Sequence, residues 1–304
     1  MSSRSAFFDP SEDTEEGGER FWRAQRKPRG RQRARDLTAE VAAEEGDPSY
    51  LDPLLAQLQA RGHLDEIVGE LKSGKEATVY VGRGPRGPLA VKLYRDVGAR
   101  SFHNDGVYTA GRFVADARIR RAIESRSGRG LQAAQDLWVM HEWRELWTLF
   151  LAGVPVPEPL IGPEPHMIAE AGRAVVMRFV GRLEESHAEA APRLSDARLS
   201  PAEARAAWEQ SLDIMARLLA LGRVHGDYST YNLLWWENTV TVIDFPQLTT
   251  RDNPNFESLL RRDAESLTRS FTRHGLVEHA EVALREVRAR ARRLAEREPL
   301  VRLP

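Results

Sequence analysis

Between Leu71 and Arg95 the chain reads LKSGKEATVYVGRGPRGPLAVKLYR. β-formers alternate on both sides of a Gly-rich turn at Gly82 to Gly87, a pattern that predicts two strands in a hairpin. The apolar run RAVVMRFVG (173–181) predicts a further strand. LQAAQDLWVMHEWRELWTLFLAG (131–153) predicts a helix stopped by Gly153 and the VPVPEPL that follows. The Gly- and Arg-rich residues 98–130 read as a long loop with a short helix. In the second half Ser200, Pro201 and Glu203 form a capping box with proline at the first helical position. Trp208, Leu212, Met215 and Leu219 then recur at helical spacing until Gly222. YNLLWW and TVTVIDF read as two strands joined at Glu237-Asn238, and the chain is helical and Arg-rich from about Phe256. Strands first and helices second predict an α+β protein, a β-rich N-lobe before a mainly helical C-lobe.

Composition narrows the class. With 304 residues, 41% hydrophobic content and a net charge of -1, the chain is expected to be globular. No apolar run is long enough to span a bilayer and no signal-peptide core opens the sequence, so no membrane association is expected. The absence of cysteine excludes disulfides and thiolate metal sites and points to a reducing cytoplasm. Residues 1–48 hold an acidic cluster and the basic run RFWRAQRKPRGRQRAR, and are expected to form a disordered charged tail. The expected division is then an N-lobe over 49–180 and a C-lobe over 181–304, ending in an Arg-rich helix. Of 44 basic residues only Lys27, Lys72, Lys75 and Lys92 are lysine, and three of these fall between 72 and 92. Lysine is a compact point charge where arginine is a wide fork, so a slim cation beside a buried phosphate would resist replacement.

VHGDYSTYNLLWWENTVTVIDFPQ (224–247) carries the chemistry. Asp227 and Asn232 lie five positions apart in a turn, and the hairpin returns Asp244 towards Asn232. Three oxygen donors from one loop and one strand end suit Mg²⁺ completed by phosphate oxygens and waters. As a bare pattern the three could equally be turn residues bonding their own backbone. The Asp-to-Asn spacing is also that of the protein-kinase catalytic loop, and Asp244-Phe245 is similar to the start of the kinase metal-binding motif. LAVK places Lys92 on a strand after a Gly-containing turn, as the phosphate-pairing kinase lysine requires.

Taken together, SGKEATVY (73–80), LAVKLYR, HGDYSTYNLL and IDFPQ resemble the RIO family of atypical serine/threonine protein kinases, in the right order over about residues 50–275. HEWREL (141–146) and DNPNFESLLRRD (252–263) are similar to further segments of that family. The resemblance implies a bilobal kinase-like fold, with ATP and Mg²⁺ as cofactors. It implies Asp227 as catalytic base or phosphate-orienting carboxylate, with Asn232 and Asp244 as metal ligands. Lys92 would hold the ATP phosphates, positioned by Glu142, with Glu145 as the other choice. Ser73, Gly74 and Lys75 would replace the usual glycine clasp over the phosphates. Val79, Ala90 and Leu234 would sandwich the adenine, and Met177, Phe179 and Val180 would form the hinge; plain core packing explains the apolar three equally well.

Departures from ordinary kinases bear on the activity. Gly226 stands where they carry Arg, Pro246 where they carry Gly, and no A-P-E follows Asp244, which implies no phosphorylation-gated activation loop. Lys72 and Tyr228 depart from the RIO pattern itself, which usually has a small hydroxyl residue and a leucine there. The expected activity is Mg²⁺-ATP-dependent phosphoryl transfer, with the chain itself as a possible protein substrate. The resemblance also admits an ATPase-driven switch, phosphorylated at Asp244, that binds ribosomal RNA or a ribosomal assembly through the basic runs at 20–35 and 285–293. A small-molecule phosphotransferase of the aminoglycoside kind has a similar H-G-D-x-x-x-x-N loop, but GKEATVY and IDFPQ argue against it.

Overall fold

A computed structural model describes residues 52–74, 77–95, 128–185 and 187–297. The expectations for the charged tail, for Lys75 and for most of the 98–130 loop lie outside those residues. The N-terminal part is an antiparallel sheet in the order β1-β2-β3-β4: β1 Glu66–Ser73, β2 Ala77–Gly84, β3 Gly87–Tyr94 and β4 Ala174–Arg178. The predicted hairpin is β2 and β3, in unbroken register from Ala77↔Tyr94 to Gly84↔Gly87. β1 was not expected, and its register against β2 shifts twice, between Ile67 and Gly69 and between Glu70 and Lys72.

Side-chain alternation gives the sheet two faces. Leu89, Val91 and Leu93 of β3 point to one, where they pack with Leu54, Leu55 and Leu58 of helix α1 (Pro53–Ala60). Burying each of these leucines contributes about 1.5–3 kcal/mol. Ala90 and Lys92 therefore point to the other face. There Ala90 packs with Val81, Phe179 and Ala188, and Lys92 looks towards helix α2 (Gly128–Leu151). The α2 helix is longer at its start than the sequence suggested. Trp143 and Trp147 both donate their indole N–H to the Ile161 carbonyl, at 3.0 and 2.8 Å. A short helix α3 (Pro165–Ala171) and the small ladder β5 (Gly181–Leu183) with β6 (Ala188–Ala190) complete this half.

The second half is mainly helical. Helix α4 (Pro201–Ala220) starts at the predicted capping box: Ser200 Oγ accepts from the Glu203 amide and Glu203 accepts from the Ser200 amide. Trp208, Leu212, Met215 and Leu219 are all buried. They form one core with helix α5 (Phe256–Phe271), helix α6 (Ala280–Arg297) and the inner side of α2. Trp208 meets Phe271 edge-on at 5.2 Å between ring centroids. Arg290, from the basic run 285–293, turns inward to pair with Glu209, Asp213 and Glu286 and ties α6 to α4. Strands β8 (Leu233–Trp236) and β9 (Thr239–Val242) form the predicted hairpin. Glu237 and Asn238 at its turn have φ of 47° and 60°, the left-handed pair that closes a two-residue turn. A second two-stranded ladder pairs β7 (Arg223–Val224) with β10 (Thr249–Thr250). The fold is α+β, a sheet-rich N-lobe followed by a helical C-lobe, as the sequence predicted. Among the described residues no helix is long and apolar enough to cross a membrane.

Candidate active site

Lys92 lies where three elements meet. Its Nζ donates to Glu142 Oε1 on α2 at 2.7 Å and to Asp244 Oδ1 beyond β9 at 2.7 Å. Burial by itself would lower the pKa of this ammonium, but Asp244 and Glu142 together outweigh it and hold the group protonated. Burial pushes Glu142 up, against the pull of Lys92. The Lys92 charge holds Asp244 below the usual carboxylate range. The two carboxylates are not equivalent: the Glu142 side chain is 3% exposed and that of Asp244 43%. Glu142 is thus a sealed anchor, whereas Asp244 opens to whatever enters the cleft. Glu145 does not share the role, because Arg223 Nε holds its carboxylate at 2.9 Å.

The returning strand ends at Val242, two residues earlier than the sequence reading placed Asp244. The ladder takes one more step, with the Ile243 amide donating to the Asn232 carbonyl at 3.0 Å. This sets Asp244 next to Asn232. Asp244 then adopts a φ of 72°, a left-handed backbone that costs a non-glycine residue about 1–3 kcal/mol. Asn232 Nδ2 donates to both the main-chain carbonyl and Oδ2 of Asp227, at 2.8 and 3.1 Å. Its amide nitrogen is therefore engaged, and its remaining polar atom is a pure acceptor. Asp227 itself is exposed.

One amide oxygen and one exposed carboxylate are too few donors for a metal held by protein ligands. Among the described residues no group of three or more His, Cys, Asp or Glu could hold a metal ion. The pair does fit Mg²⁺, which keeps waters and binds through one or two carboxylates plus substrate phosphates.

Above this floor, Val79, Ala90, Met177 and Phe179 belong to one apolar cluster on the Lys92 face of the sheet. The cross-strand pairs Val79↔Lys92 and Ala90↔Met177 keep them together. Leu234 is half-buried and lies outside that cluster, and Val180 is held by its carbonyl, which accepts from Ala191 at 3.0 Å. Ser73 and Gly74 close the β1–β2 end, where the Gly74 amide donates to the Ala77 carbonyl at 2.9 Å. Arg95 donates to both Ser73 Oγ and Thr78 Oγ1, which fixes the serine hydroxyl from behind.

Residues 78–284 match the model of the RIO domain family. The chain belongs to the RIO family. A RIO-type serine/threonine-protein kinase Rio1 of Haloferax volcanii is 34% identical over 215 residues, covering 70% of this chain and 66% of that protein. Serine/threonine-protein kinase RIO1 of Homo sapiens is 30% identical over 232 residues, covering 74% and 37%. The RIO1 of Chaetomium thermophilum is 28% identical over 260 residues, covering 80% and 46%. The chain thus spans less than two thirds of each of these relatives.

The RIO domain's loop around Asp227 rests on a residue that sequence reasoning missed. Asp263 of α5 is buried and accepts from the Gly226 amide at 2.9 Å and the Tyr228 amide at 3.0 Å. Burial pushes its carboxyl up to about 7, against the pull of these two donors. Gly226 has a φ of 83°, a conformation that glycine adopts without penalty. A signal for Asp263 existed: it stands on the same helical stripe as Leu259, Leu260 and Leu267, the one carboxylate on an apolar face.

His225 lies beneath the same loop, between Tyr228 and Phe245 at 5.6 and 5.7 Å. Burial lowers its pKa to about 4, so the ring is neutral at pH 7. A base with a depressed folded pKa stabilises above its unfolded value near 6.5 and loses that contribution as pH falls towards 4. Between those limits wild type should lose about 3 kcal/mol more than His225→Gln. Urea titrations of both proteins across that range check it; parallel pH profiles would remove the buried-histidine account. Comparing the two cancels other groups that titrate there, Asp263 included.

Proposed function

We propose that this chain is a Mg²⁺-ATP-dependent serine/threonine protein kinase of the RIO type, with lobes meeting near Val180. The reading rests chiefly on Lys92, held at 2.7 Å by both Glu142 and Asp244 within a domain whose named relatives are serine/threonine kinases. In this reading the apolar cluster of Val79, Ala90, Met177 and Phe179 takes the adenine, with Leu234 opposite. Ser73 and Gly74 face the phosphates. An ammonium carries three N–H donors, and Lys92 gives two to carboxylates, so the third is available to a phosphate oxygen. Asn232 and Asp244 would hold Mg²⁺, which would supply countercharge to the phosphate oxygens.

Asp227 orients the substrate hydroxyl and accepts its proton. A serine or threonine oxygen bonds to the γ-phosphorus as the bridging oxygen leaves with ADP. Asn232 keeps the Asp227 carboxylate in place, and positioning of this kind accounts for most of the rate in such reactions. Incubating the full chain with Mg²⁺ and γ-labelled ATP tests the reading. Acid-stable label on serine or threonine of the chain or an added protein is the expected result. Label recovered only as an alkali-labile acyl phosphate, and lost in Asp244→Asn, would replace it with an ATPase switch.

A further inference from the structure

The segment Ala191–Asp196 runs along the outside of β8. The Leu194 amide donates to the Leu233 carbonyl at 2.8 Å and the Trp235 amide to the Pro192 carbonyl at 2.9 Å. These two bonds flank an antiparallel bridge between Arg193 and Leu234. In such a pair, side chains project from the same face and approach most closely. The face is settled by burial: Leu233 and Trp235 enter the helical core, and Leu234 between them does not. Arg193 consequently lies on the Leu234 face, the floor of the nucleotide cleft in the reading above.

Arg193 as a residue is half-buried, and its side chain makes no hydrogen bond or ion pair with any described residue. Through the bridge it stands beside the start of β8, two residues on from Asn232. Partly burying a cation without a partner is unfavourable unless an anion arrives. Lys92, by contrast, is already committed to two carboxylates.

Building on the kinase reading, we propose that Arg193 binds the phosphates of the nucleotide from the cleft floor. A guanidinium suits that task because its fork matches two phosphate oxygens at once. The bland alternative, that Arg193 only offsets nearby carboxylates, predicts no dependence on the number of phosphates.

Calorimetric titration of the full chain with Mg²⁺ and ATP, ADP or adenosine distinguishes them. Arg193→Leu is expected to weaken ATP and ADP by about tenfold and to leave adenosine within about twofold. Arg193→Lys, which keeps the charge and loses the fork, is expected between the two. Unchanged ATP affinity in Arg193→Leu, or an equal loss for adenosine, would overturn the assignment. Should Arg193→Leu melt well below wild type, Arg193→Lys and Arg193→Gln carry the same comparison. A wild-type chain that bound no Mg-ATP would overturn the nucleotide reading itself, a different outcome from a wild type that binds and an arginine variant that binds as tightly.

Discussion

Asp227→Asn lowers phosphoryl transfer by about 10²- to 10⁴-fold while the Kd for Mg-ATP stays within about twofold of wild type. Two geometric facts support this split. Asp227 is exposed, and the carboxylates that hold Lys92 are Glu142 and Asp244. Asn232 bonds its main-chain carbonyl as well as its side chain, so the loop keeps one anchor when the carboxylate becomes an amide. The loss therefore belongs in kcat. Single-turnover transfer beside equilibrium nucleotide binding reads the two separately. If binding collapsed with the rate, Asp227 would belong to the nucleotide site rather than to the hydroxyl.

Asp263→Ala acts through the fold. It leaves the Gly226 and Tyr228 amides without their acceptor in a buried place, at about 1–3 kcal/mol each. For a domain of this size the melting temperature should fall by roughly 4 to 20 °C. Because both amides flank Asp227, activity at a temperature where the variant is folded should drop as well. Asp263→Asn keeps one acceptor oxygen and is expected to fall between alanine and wild type. Equal melting temperatures for all three would mean that water or a neighbouring group replaces the carboxylate, and Asp263 would not be what holds the loop.

The sequence was most legible where one signal acts locally. Alternation and a glycine turn located β2 and β3, a capping box located the start of α4, and Glu237-Asn238 located the turn of the β8–β9 hairpin. β1 escaped for a physical reason: two register shifts interrupt its pairing with β2, and its residues are exposed or half-buried throughout. Irregularities of that kind break the period of two on which recognition depends. β5 and β6, three residues each, are too short to show any period. At the site, Asp227, Asn232, Asp244 and Lys92 stood out by motif spacing. Asp263 and Arg193 did not, because each acts on residues distant in sequence. Asp263 reaches back to 226 and 228 from another helix, and Arg193 comes to the cleft only through a bridge of one residue pair.

The cluster at Lys92 also bears on what can enter the cleft. In the kinase reading a polyphosphate would meet one ammonium already set against two carboxylates, Glu142 and Asp244, with little positive charge to spare. A bare nucleotide tetra-anion would approach like charge in a partly desolvated space, where such repulsion is weakly screened. A nucleotide that arrives with its divalent countercharge presents a cation to the open Asp244 carboxylate instead. On that reading the carboxylate that anchors Lys92 would also favour the metal complex over the free nucleotide.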